Sequence, residues 1–126
     1  MINYNFIIVY LFNKYKTMCP RKLCELMDIK INFNFLDGEN ISILYYNNAN
    51  NQLYIFLSNN PDDEETDRLI AHELSHYLLH PNCYNHNIEI KSKYMTNLLD
   101  SEANTLAEEI LKKHNSNIKK SSEKIS

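Results

Sequence analysis

A chain of 126 residues that is 44% apolar has enough hydrophobic side chains for one ordinary core and is short for two. Its formal charge of -3 argues against a broadly basic surface that would hold nucleic acid through phosphates, so direct nucleic-acid binding is not expected and protein or small-molecule partners are. Cys19, Cys24 and Cys83 are odd in number and form no Cys-x-x-Cys pair, which favours free thiols in a reducing, cytoplasmic compartment over a disulfide framework.

In chain order, residues 1–16 are apolar and aromatic without a clear period, so helix and strand both stay open. The run Phe6 to Phe12 is too short to span a bilayer and has neither a basic leader nor a small-residue cleavage site, so it reads as a buried segment and no membrane association is expected. Pro20 opens a short helix in which Leu23, Leu26 and Met27 recur at helical spacing. Three strands follow over Ile31 to Leu36, Ile41 to Tyr46 and Gln52 to Ser58. Asp37-Gly38 reads as a hairpin turn and Asn47 to Asn51 as a second turn, which together predict an antiparallel meander.

The next boundary carries helix-start chemistry. Asn60 can cap, Pro61 fits the first helical position, and Asp62, Asp63, Glu64, Glu65 and Asp67 set negative charge at the positive helix end. Ile70, Leu74, Tyr77 and Leu78 then form a core stripe. Residues 82–97 read as a loop, and Leu98 to Lys113 as a second helix buried through Leu99, Ala103, Leu106 and Ile110. Residues 115–126 are Ser, Asn and Lys with almost no apolar content and are expected to be a disordered tail, leaving one domain over residues 1–114.

Chemistry is concentrated in His72-Glu73-Leu74-Ser75-His76. On a helix the two imidazoles are one turn apart and point the same way, so one ion can take both. Glu73 lies about 100° round from His72, within reach of a water at that ion yet outside its ligand shell, which is the placement of a general base. Catalytic zinc takes three protein ligands and keeps a position open, so a third donor must come from another element. Glu102 is the leading candidate because it sits at the edge of the second helix's apolar stripe, and Asp100 is the alternative. His80, one turn beyond His76, is expected to support the site by hydrogen bonding, and Tyr84, His86 and Tyr94 are candidate donors to a developing oxyanion. An extended substrate would add to an exposed strand edge, with Leu53 to Leu57 as the candidate.

The segment Ile70-Ala71-His72-Glu73-Leu74-Ser75-His76-Tyr77-Leu78-Leu79-His80, followed by Glu102-Ala103-Asn104-Thr105-Leu106-Ala107-Glu108-Glu109-Ile110-Leu111, resembles the ImmA/IrrE family of gluzincin-type zinc metallopeptidases. The first part is similar to the family's zinc helix and the second to its E-A-N-x-F-A-x-x-L-L helix. The resemblance spans roughly residues 20 to 112 and implies an α+β fold in which a small antiparallel three-stranded sheet packs on the zincin helix pair. It also implies Zn2+ held by His72, His76 and Glu102, with Glu73 as the base. Leu106 stands where the family carries an aromatic, and Lys112 and Lys113 stand where Met-Pro commonly closes the helix.

The absence of a helix-turn-helix or sensor segment, with an Asn-, Ile- and Lys-rich composition, matches the short prophage or mobile-element type in a bacterial host. Members of that family cleave or inactivate DNA-binding repressors, so a helix-turn-helix repressor is the substrate the resemblance implies. The alternative keeps the metal and drops the cleavage: a binding module that regulates a repressor by contact. A purely structural zinc is disfavoured, because such sites close with four protein ligands, often Cys, and these cysteines lack ligand spacing.

Overall fold

The computed structural model describes residues 1–36, 41–58, 62–81 and 93–125, with side chains described at all of these except 34–36, 93–96 and 120–125. The elements in order are α1 (Tyr4–Tyr15), α2 (Pro20–Leu26), β1 (Ile29–Leu36), β2 (Ser42–Asn47), β3 (Gln52–Ser58), α3 (Asp63–Leu79) and α4 (Lys93–Ile125). The apolar N-terminal stretch, open between helix and strand in the sequence, is helical. Asn3 caps it by accepting from the Phe6 N–H at 3.0 Å, and Lys16 ends it in the left-handed region at φ 61. Pro20 occupies the start of α2, where its missing N–H has no helical partner to lose.

The three-stranded sheet is mixed, a correction to the antiparallel meander. Its order is β1-β3-β2, with β2 antiparallel and β1 parallel to β3. The turn at Asn47 to Asn51 forms as expected, with Asn51 at φ 55, a left-handed conformation that Asn tolerates. Asp37-Gly38 lies outside the described residues, and β1 and β2 are not neighbours, because β3 lies between them. Burial explains the choice of centre. β3 buries Leu53, Ile55 and Leu57 on the helix side, and Tyr54 and Phe56 stack on the other side with ring centroids 5.4 Å apart. Leu53 to Leu57 is therefore the central strand, not an edge, and β1 and β2 carry the sheet's two edges.

α3 is packed between the sheet and α4. Its Ile70 and Leu74 meet Leu44, Ile55 and Leu57 from below, while Leu106 and Ile110 of α4 close the same core cluster from the other side. The helix cap is Asp62, whose side chain accepts from the Glu65 N–H at 2.7 Å. Asn60 and Pro61 lie outside the described residues. At its far end α4 continues helically to Ile125, where the sequence predicts disorder over residues 115–126. Once the docked turns around Ile110 have formed, each further residue adds a hydrogen bond without a new nucleus, and Lys and Glu propagate helix readily.

Cys24 is fully buried in α2, and burial pushes its thiol up to about 12. The thiolate is the reactive form, so alkylation of the native protein with iodoacetamide is expected to leave Cys24 untouched and to label it only after denaturation. Peptide mapping by mass spectrometry reads this directly. Labelling of native Cys24 at the rate of the half-buried Cys19 would show that α2 opens.

Candidate metal centre

The centre is assembled from one turn of α3 and one turn of α4. His72 and His76 project from the same side of α3, with ring centroids 4.6 Å apart and planes nearly perpendicular at 86°. Their Nε2 atoms are 3.1 Å apart. Asp100 of α4 brings Oδ1 to 2.9 Å from His76 Nε2 and 3.7 Å from His72 Nε2. These three side chains form the one group among the described residues whose donor atoms converge as a metal ion requires. The fit can be checked by size. A tetrahedral ion with bonds of about 2.0–2.1 Å holds its ligand atoms about 3.3–3.4 Å apart, and the three observed separations bracket that edge.

Protonation supports the same use. His72 Nδ1 lies 2.8 Å from Asn104 Oδ1, an acceptor, a contact that fits the Nδ1–H tautomer, in which the Nε2 lone pair faces His76 and Asp100. Burial, reinforced by the neighbouring His72, holds His76 below the usual imidazole range against the opposing pull of Asp100, so the ring favours its neutral, ligating form. The Asp100 side chain is 50% exposed, which keeps this side of the centre in contact with solvent.

Glu73 follows His72 on α3, and its carboxylate is held by the sheet. Ser42 of β2 donates its hydroxyl to Glu73 Oε2 at 2.6 Å, and the backbone of Leu44 on the same strand adds a second hydrogen bond. Only 7% of Glu73 is exposed, and this burial raises its carboxyl above the ordinary range, with the Ser42 bond pulling the other way. A carboxylate so placed holds a proton more readily than one in water. That suits a group that must accept a proton and then return it.

Glu102, the sequence candidate for third ligand, lies elsewhere: its Oε1 is 3.0 Å from Nε2 of His80, a side chain only 8% exposed. The structure brings Asp100 to the histidine pair in its place. Helix rotation is the reason. The buried positions of α4 are Ala103, Leu106, Ala107 and Ile110, and Asp100, three before Ala103 and seven before Ala107, continues that stripe toward α3. Glu102 lies on its flank. The His80 ring lies 5.7 Å from that of His76. Tyr84 and His86 lie outside the described residues, as does the side chain of Tyr94.

Sequence reasoning missed Ser42 and Asn104. Asn104 carried a signal, since it is one turn from Asp100 and shares its face. Ser42 carried none, because its partner is 31 residues away across the fold.

No solved structure matches the chain. The uncharacterized immunity region protein 2 of Bacillus phage phi105 is 30% identical over 101 residues, an alignment that covers 80% of this chain and 63% of that protein. The chain thus spans less than two thirds of this relative's length. Residues 24–114, from α2 through the docked part of α4, match the Peptidase_M78 family, described as the IrrE N-terminal-like domain, and the chain belongs to that peptidase family.

Proposed function

We propose that the protein is a zinc metallopeptidase that cleaves or inactivates a helix-turn-helix repressor of a phage or mobile element. The observation that carries this reading is the convergence of His72, His76 and Asp100, with a buried carboxylate, Glu73, next to it in sequence and directed to one side. We assign the ion to His72, His76 and Asp100, with Glu102 in support through His80. Zinc in this place would acidify a water and polarise a peptide carbonyl.

The rest of the chemistry belongs to the chain. Glu73 takes the proton of the attacking water on its carboxylate and delivers it to the departing amine. Ser42 and the Leu44 backbone fix that carboxylate in one orientation, so no conformational search precedes the transfer. Because both partners lie on the edge strand β2, a peptide that pairs with the free side of β2 lies beside the base. A repressor as the target is supported by the family and by the relative's description as an immunity region protein.

The test is to incubate the zinc-loaded protein with a helix-turn-helix repressor encoded beside its gene. Discrete fragments are expected by mass spectrometry, and none once the zinc is chelated. An intact repressor that nonetheless loses its operator in the presence of the protein would replace cleavage with contact.

A further inference from the structure

Three donor atoms that face one another at 2.9, 3.1 and 3.7 Å carry a problem of proton placement. An imidazole offers its lone pair on one nitrogen only, and a neutral His72 with its proton on Nε2 would point that proton at His76 Nε2 and Asp100 Oδ1. The ligand set works only if the proton sits on Nδ1. What selects Nδ1 is on the opposite helix: the side-chain oxygen of Asn104, 2.8 Å away and an obligate acceptor.

We propose that Asn104 is the positioning residue for the metal ligand His72, holding its ring in the Nδ1–H tautomer with Nε2 free for the ion. This inference rests on the metal-site reading above. Asp100 and Asn104 are one turn apart on α4, and they meet His76 and His72, one turn apart on α3 in the opposite sense. One turn of α4 therefore both supplies a ligand to the ion and sets the proton of a ligand it does not supply. Among the described residues no acceptor of this kind meets His76 Nδ1; its Nε2 lies 2.9 Å from Asp100 Oδ1, an acceptor that holds an Nε2 proton until an ion displaces it. Asn104 is exposed, so replacing it does not open the core.

Two readouts test this without any peptide substrate. The first is the tautomer of His72 in the metal-free protein, from long-range nitrogen–proton NMR correlations. Wild type is expected to show Nδ1 protonated, and Asn104→Ala to show a mixture shifted toward Nε2–H. The second is zinc affinity by competition with a chromogenic chelator. Asn104→Ala is expected to weaken binding about 10- to 100-fold, the usual loss when a histidine ligand's supporting partner is removed. Asn104→Asp is expected to restore or tighten it, since a carboxylate accepts the same proton more strongly.

Zinc affinity of Asn104→Ala equal to wild type, or an Nε2–H tautomer at His72 in wild type, would overturn the proposal. So would Asn104→Asp weakening zinc as much as Asn104→Ala while both keep wild-type circular dichroism. If wild type and His76→Ala alike bind no zinc, the metal-site reading itself fails. An Nδ1–H tautomer that is lost in Asn104→Ala would even then uphold the contact to His72.

Discussion

Glu73→Gln is expected to abolish peptide hydrolysis and to leave bound zinc at the wild-type level. The amide is the same shape as the carboxylate and its oxygen can still accept from the Ser42 hydroxyl, so the packing of α3 on β2 is kept. It cannot take a proton at neutral pH. General acid–base catalysis contributes about 10²–10⁴-fold, and one carboxylate serving both halves of the reaction places the expected loss at the upper end of that range. Zinc is spared because the converging donors are His72, His76 and Asp100. Fragment formation and metal content, measured on the same sample, separate the two effects. A variant that inactivates its repressor as well as wild type would show that the protein acts by contact and not by hydrolysis.

Asp100→Ala and Glu102→Ala are expected to part company. Loss of Asp100 removes one of three donors from the ion and should weaken zinc by more than about 100-fold, beyond what removal of a residue that merely supports a ligand costs. Loss of Glu102 should change zinc affinity by less than about 10-fold, yet it leaves His80 buried without its carboxylate partner. A buried donor or acceptor stripped of its partner costs about 1–3 kcal/mol, so Glu102→Ala should lower the urea midpoint instead. Chelator competition and urea unfolding on the two variants, each compared with wild type, read both consequences. The opposite pattern, zinc lost with Glu102 and retained without Asp100, would return the third ligand to the position the sequence favoured.

The difference between those two carboxylates shows where reading the sequence stops. His72, Glu73 and His76 were legible because their relation is local: one turn of helix fixes the spacing of two imidazoles and the angle to the carboxylate whatever the rest of the chain does. Asp100 and Glu102 are also on one helix, about 200° apart, but which of them meets the histidines depends on how α4 rolls on α3. That roll is set by Ala103, Leu106, Ala107 and Ile110 seeking burial together. The sequence marks the stripe and leaves its centre open to within a residue or two.

Strand order failed for a similar reason. Asp37-Gly38 and Asn47 to Asn51 are both turn signals, and local chemistry favours pairing across each of them. Only the competition for the centre of the sheet, won by Leu53, Ile55 and Leu57, moves β3 between β1 and β2. That placement has a functional consequence, because it leaves β2 at an edge with Ser42 and Leu44 against Glu73. The α+β class was legible, since helices and strands follow from the periods of their segments and need no long-range register; the packing of a small sheet on the site-bearing helices was implied by the resemblance alone, and the sheet meets α3, with α4 on the far side of that helix. No helix among the described residues is long and apolar enough to cross a membrane.

The most direct measurement is a crystal structure of the zinc-loaded protein with anomalous data collected at the zinc edge. A single peak is expected within about 2.0–2.2 Å of His72 Nε2, His76 Nε2 and an Asp100 carboxylate oxygen, with Glu102 still on His80. A peak ligated by Glu102, or none between α3 and α4, would contradict it.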